Sequence, residues 1–149
     1  MGIKRINVFI NEGNKDMNKF ALIFAILSVA ACVRAPAELD GQQVFFAFDS
    51  AEISSDADKN LAAQALYMKQ NPDVNITMQG RCDERGSTEY NLALGALRAG
   101  NAAHVIMANG IEPERIKTVS YGKENPIYPG TGEKVWALNR NGTTVVNNK

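Results

Sequence analysis

Four residues in one stretch have the types and spacing to hold a zwitterion. Asp83 lies in a turn bounded by Gly80 and Gly86, and Asn91, Gly95 and Arg98 follow at intervals of four and three. If a helix starts just after Gly86, these three share one stripe of it. Gly95 has no side chain, so a ligand could approach the helix backbone between two polar groups. A fixed carboxylate and a fixed guanidinium would then take the two ends of an amino-acid head. Asp83 would meet the ammonium, and Arg98 would meet the carboxylate in a bidentate pair. The same residues also admit a structural role, with Asp83 capping its turn and Arg98 bracing the core. In the ligand role, alanine at Asp83 or Arg98 should weaken binding by about 1.5–3 kcal/mol, the scale of a charged hydrogen bond, and leave folding intact.

Other reactive side chains are few: two cysteines, Cys32 and Cys82, and one histidine, His104. A wall-acting thiol peptidase built on Cys82 and His104 is the competing function. Its nucleophile would need a base within hydrogen-bond reach. With Cys82 ahead of the helix and His104 well along it, the two sit roughly 25 Å apart at ~1.5 Å per residue. That separation argues against the enzyme, and a single histidine excludes a His-rich metal cluster. Cys82 is expected to pack as a small residue under its turn, His104 to lie at the surface or core boundary, and Trp136 and Tyr128 to pack a long loop. No cofactor is expected. The 16 basic and 16 acidic residues balance, so no overall field favours nucleic acid.

A length of 149 residues suits one domain and a targeting segment. Phe20 to Ala31 is apolar but too short to span a bilayer, which needs about 20 residues. Lys19 precedes it, and Val29-Ala30-Ala31-Cys32 closes it. This is the pattern of a secretory signal ending in a bacterial lipobox. Small side chains flank the cut, and the Cys32 thiol takes a diacylglyceryl group. Residues 1–31 are therefore expected to be a signal segment, starting either at Met17 or, with a longer n-region using Lys4 and Arg5, at Met1. Residues 32–43 are expected to be the lipidated N-terminus and a short polar tether. Val33 stands where an Asp retains lipoproteins in the inner membrane of well-studied sorting systems. Together with the family resemblance described below, this implies outer-membrane delivery, with the domain facing the periplasm.

Residues 44–149 then form the domain. Val44–Phe48 is aromatic and β-branched, a strand. Ser54 or Ser55 caps a helix with Asp56 and Asp58 in its first turn, buried through Ala57, Leu61, Ala65 and Met68, and stopped at Asn71-Pro72. Val74, Ile76 and Met78 alternate with polar residues in a second strand. The second helix runs from Ser87 or Thr88 to Asn109-Gly110, with Leu94, Leu97, Val105 and Ile106 marking its buried face. Ile116–Tyr121 is a third strand. A segment rich in Gly, Pro and Asn carries a short helix near Val135-Trp136, and 143–146 is the last strand. The order βαβαβ(α)β predicts an α+β domain, a mixed sheet with helices packed on one face.

The block around the candidate pair resembles a known family. Gly80, Asp83, Gly86, Tyr90, Asn91, Leu94, Gly95, Arg98 and Ala99 match in position the pattern of the C-terminal domain of outer-membrane protein A, in the version found in peptidoglycan-associated lipoproteins. Phe46-Ala47-Phe48-Asp49, Ser120-Tyr121-Gly122-Lys123 with Pro126, and Asn139-Arg140 resemble its other blocks. Arg81 stands in place of the usual His, Leu97 in place of a first Arg, and Asn141 in place of the second Arg of Asn-Arg-Arg. The resemblance implies that Asp83 and Arg98 clasp the diaminopimelate of a peptidoglycan stem, with Asn91 supporting and Gly80, Gly86 and Gly95 shaping the backbone. It further implies a non-enzymatic tether between outer membrane and wall within the Tol-Pal system, with roles in envelope integrity and cell division, and the periplasmic protein TolB as a second partner.

Overall fold

The structure, a computed structural model, describes residues 37–147. The expected signal segment 1–31 and the acylation site Cys32 lie outside the described residues. In chain order the elements are β1 (Gln43–Phe45), α1 (Ser55–Gln70), β2 (Ile76–Arg81), α2 (Thr88–Ala108), a 3-10 turn (Pro113–Arg115), β3 (Ile116–Gly122), α3 (Glu133–Asn139) and β4 (Asn141–Val146). The architecture is α+β, as the element order predicts.

Local chemistry explains both long helices. Ser54 caps α1, its side chain accepting from the Ala57 amide at 3.2 Å, and Asp56 and Asp58 sit in the first turn. Asn71 closes it ahead of Pro72. Ser87 caps α2 in the same way, accepting from Tyr90 N at 3.2 Å.

The sheet order is β1-β4-β2-β3. β2 and β3 run parallel, whereas β4 is antiparallel to both β1 and β2. The last strand therefore fills the middle of the sheet. Thr144 on β4 donates to Gln64 on α1 at 2.6 Å, and it pairs across the ladder with Met78, on the same face. Gly80, two residues along β2 from Met78, meets Gly95 of α2 on that face. Both long helices thus cover one side. Between them and the sheet lie Leu39, Val44, Phe46, Leu61, Met68, Ile76, Met78 and Ile106, all nearly inaccessible. Each such side chain contributes about 1.5–3 kcal/mol by leaving water.

Three expectations are corrected. The first strand does not run to Phe48. Its ladder ends at Phe45, the Phe46 amide still bonds Arg140 O at 2.8 Å, and the chain then turns away. Past that point the carbonyls of Ala47 and Ser50 are taken by the Arg98 guanidinium, not by a strand. The tether does not reach Gln43. Leu39 is buried in the core, Gly41 N donates to Thr144 O at 2.8 Å, and Asp40 accepts from Val146 N at 2.9 Å. Burial of Leu39 and pairing with β4 bind this stretch to the domain. Finally, Leu97 is not on the buried face of α2 but is 59% exposed. The buried stripe is Asn91, Gly95, Arg98, Ala99, Ala102, Ala103 and Ile106, because its small members let the helix lie close to the sheet.

Candidate functional site

The turn between β2 and α2 is held from all sides. Cys82 N donates to Gly122 O at 2.8 Å, anchoring it to β3. Gly86 has φ +91°, a left-handed conformation that a side chain would strain. Asn91 Nδ2 donates to Arg85 O at 2.7 Å and to Ser87 O at 3.0 Å. Lys123 Nζ reaches back from the end of β3 to Gly86 O at 2.6 Å. Asp83 is therefore presented in one fixed position at the head of α2.

A cavity of about 400 Å³ opens there, lined by Phe48, Asp49, Asp83, Arg85, Tyr90, Asn91, Arg98 and Arg140 among others. That volume is within the roughly 300–1,000 Å³ usual for small-ligand sites. Asp83, Asn91 and Arg98, chosen from sequence, meet in it, as does Gly86. Asp83 is 4% exposed and Arg98 is 1% exposed. Arg98 donates from Nε to Ser50 O at 2.8 Å, from Nη1 to Arg81 O at 2.9 Å and from Nη2 to Ala47 O at 3.1 Å. These bonds use three of its five N–H groups, and the Cys82 side chain also lies against the guanidinium. A buried guanidinium at the cavity wall attracts a carboxylate. Burial lowers the Arg98 pKa, but an arginine keeps its charge at any physiological pH.

Gly95 does something other than expected. A side chain there would run into Ser120 Oγ, with Gly80 O and Gly122 N just behind, and one on Gly80 would run into the Gly95 carbonyl. The two glycines let α2 touch the sheet. The ligand approach imagined at Gly95 is blocked by the sheet itself, so Gly80 and Gly95 support the site from beneath without lining it.

The surroundings of Asp83 and Arg98 bear on the expectation that either could be replaced without harm to folding. Both are buried and bonded to the frame. Asp83 pairs with Arg85 (Nη2–Oδ2 2.7 Å) and with Arg140 (Nη1–Oδ2 3.2 Å). Burial alone would raise its pKa, but hydrogen bonds from the Arg85 side chain and backbone, then from Arg140, and the Arg85 charge outweigh it and hold the carboxyl below its ordinary value. The ligand and structural roles considered for these residues are thus combined in the same side chains.

Four residues of the site were not assigned a role from sequence. Arg140, 6% exposed, bonds Phe46 O and Glu133 as well as Asp83. Only its place in the Asn139-Arg140 block marked it. Arg85 lies within the turn block itself. Asp49 takes a left-handed φ of 53°, rare outside glycine, and accepts from the Tyr90 hydroxyl. The short Phe-Asp block was the one available signal for it. The hydrogen bond to Asp49 raises the Tyr90 pKa.

Of the remaining candidates only Cys82 borders this cavity, and none of them forms a reactive pair. The Cys82 thiol is buried, donates to Asn91 O at 3.3 Å, and is pushed up by burial. His104 is exposed on α2. No thiol–imidazole pair forms between them. Trp136 and Tyr128 line a second cavity of about 270 Å³. Trp136 Nε1 also donates to Glu84 at 2.8 Å, and Tyr128 donates to Gln43 at 2.8 Å. Among the described residues no metal-binding cluster occurs, and no helix is long and apolar enough to cross a membrane.

Comparison with known proteins gives this geometry a context. The sequence model of the OmpA family matches residues 45–140. The peptidoglycan-associated lipoprotein of Brucella melitensis is 39% identical over 107 residues, 72% of this chain and 64% of that protein. Its counterpart in Agrobacterium fabrum is 42% identical over 106 residues, 71% of this chain and 60% of that protein. The chain therefore spans less than two thirds of the length of these curated relatives. The crystal structure of the peptidoglycan-associated lipoprotein from Burkholderia pseudomallei superposes with a TM-score of 0.69 at 38% identity, covering 71% of this chain and 90% of that one. The C-terminal domain of Helicobacter pylori MotB shares the fold, with a TM-score of 0.68 at 23% identity over 72% of this chain and 85% of its own.

Proposed function

The chain belongs to the OmpA family, and from that premise we propose that it is an outer-membrane lipoprotein that tethers the membrane to peptidoglycan without covalent bonds. The observation that carries this is the charged cavity at the head of α2, which the Asp83 carboxylate and the Arg98 guanidinium both line. A diaminopimelate head offers the complementary charges. Its carboxylate lies against the Arg98 guanidinium, and its ammonium meets Asp83. Asn91 and Gly86 hold the turn in register. Nothing is made or broken; the site recognises and releases. Individual contacts of this kind are modest, but many copies facing one polymer give strong total attachment.

The other end is lipid. Signal cleavage before Cys32 and acylation of its thiol supply an anchor of several chains, which is stable where one chain is marginal. With Leu39 already in the core, at most six residues, 33–38, separate Cys32 from the folded domain, a reach of no more than about 20 Å at ~3.3–3.6 Å per residue. The domain works close beneath the membrane. The periplasmic partner TolB and a place in the Tol-Pal system, with its roles in envelope integrity and division, belong to the same proposal.

Sedimentation of the processed protein, purified from membranes in detergent, with diaminopimelate-type peptidoglycan tests the wall site. Pull-down reversed by free diaminopimelate is the expected result. A folded protein that stays in the supernatant would remove the wall-binding proposal. Mass analysis of the mature N-terminus tests the anchor, which requires a diacylglyceryl-modified Cys32.

A further inference from the structure

Asp83, offered above as the ammonium acceptor, has no vacant place in the closed site. A carboxylate has about four lone-pair positions. At Asp83 these receive Arg85 N at 3.1 Å, Arg85 Nε at 3.0 Å, Arg85 Nη2 at 2.7 Å and Arg140 Nη1 at 3.2 Å. An incoming ammonium must therefore replace a donor already there.

The two arginines differ in freedom to leave. Arg140 is 6% exposed and is also bonded to Phe46 O at 3.1 Å and Glu133 at 2.7 Å. The Arg85 side chain is 33% exposed, and its guanidinium has somewhere to go. It lies between two aromatic faces, 4.1 Å from the Phe48 ring and 4.3 Å from the Trp136 ring. Its Nη2 is already 3.6 Å from a second carboxylate, Glu133 Oε2. A short slide between the rings exchanges Asp83 for Glu133 and keeps the cation–π contacts.

We propose that Arg85 is an internal competitor for the ligand's ammonium, so that binding is an exchange of ion pairs in which the ammonium takes Asp83 and Arg85 moves to Glu133. This rests on the diaminopimelate reading of the cavity and adds its selectivity. A head with a primary ammonium can displace the fork and leave every charge paired. A head with carboxylates alone binds at Arg98 and leaves Arg85 in place. Arg85 thus lowers the apparent affinity for the ammonium by the fraction of time that it leaves Asp83 free.

The test compares meso-diaminopimelate with pimelate, which has the same carboxylates and no ammonium, by calorimetry on the full processed protein in detergent. In Arg85→Gln the preference for diaminopimelate over pimelate should rise about three- to tenfold, because the competitor is gone. Arg85→Lys, which keeps the charge without the fork, should fall between. Unfolding midpoints of each variant confirm that a folded protein is being compared. If wild type binds diaminopimelate but the preference is unchanged or lower in Arg85→Gln, the exchange is overturned and the wall proposal stands. If neither chain binds diaminopimelate, both fall together. Binding by Arg85→Gln alone would support the exchange in its strongest form.

Discussion

The two halves of α2 are buried to similar depth by opposite means. Beyond Arg98 the buried positions are Ala99, Ala102, Ala103 and Ile106, which meet the apolar core. Up to Arg98 they are Asn91, Gly95 and Arg98, and their partners are main-chain carbonyls, Ser120 and the backbone of β2. The first kind of burial is non-directional and scales with area removed from water. The second depends on each donor finding its acceptor, since a buried group left unpaired costs more than the bond contributes. One helix therefore carries a tolerant half that holds the fold and an exacting half that shapes the site. The proposed wall site sits where burial is polar, and there the residues offered to the ligand also hold the fold together.

Substitutions can break or sharpen that contrast. The largest effect is expected from Arg98→Ala, which removes the donors for three backbone carbonyls, two in the loop after β1 (Ala47 and Ser50) and one at the end of β2 (Arg81). A loss of about 4 kcal/mol in urea unfolding, together with loss of wall pull-down, is expected on the scale of a broken buried charge network. A variant that keeps full stability would show that the polar half is not structural. Gly80→Ala is next. Its Cβ would run into the Gly95 carbonyl, and α2 must lift, at about 3 kcal/mol in the same assay. An unchanged midpoint would mean that the helix can retreat freely.

Asp83→Asn adds a pH signature. The folded carboxyl is held below its unfolded value of about 3.9, so its ionisation contributes stability that is fully present above that value and lost as pH falls through the lower folded pKa. The variant should be about 2 kcal/mol less stable than wild type at neutral pH, with the gap narrowing only below about pH 4. A gap of constant size down to pH 2 would contradict the ion-pair origin. The smallest effect belongs to the apolar half. Ile106→Val should cost about 1 kcal/mol and leave wall binding unchanged. Impaired binding in that variant would show that the two halves are coupled.

The sequence by itself determined the element order, the helix ends to within a residue (Ser54 or Ser55, Asn71, Ser87 or Thr88), and the grouping of Asp83, Asn91 and Arg98 around the start of one helix. These depend on capping, side-chain period and turn chemistry, which act within a few residues. What surrounds that group was decided by tertiary structure alone. Arg140 reaches Asp83 across 57 positions, Arg98 reaches Ala47 across 51, and Arg140 reaches Phe46 across 94. Those meetings exist because β4, last in the chain, inserts between β1 and β2 and brings the end of α3 against the first strand. Gly95 shows the same division. Its position on the polar stripe was legible, but whether that stripe faced a ligand or the sheet depended on Gly80 and Ser120 lying opposite. No local pattern encodes that contact, because the residues that form it meet only when the helix packs on the sheet.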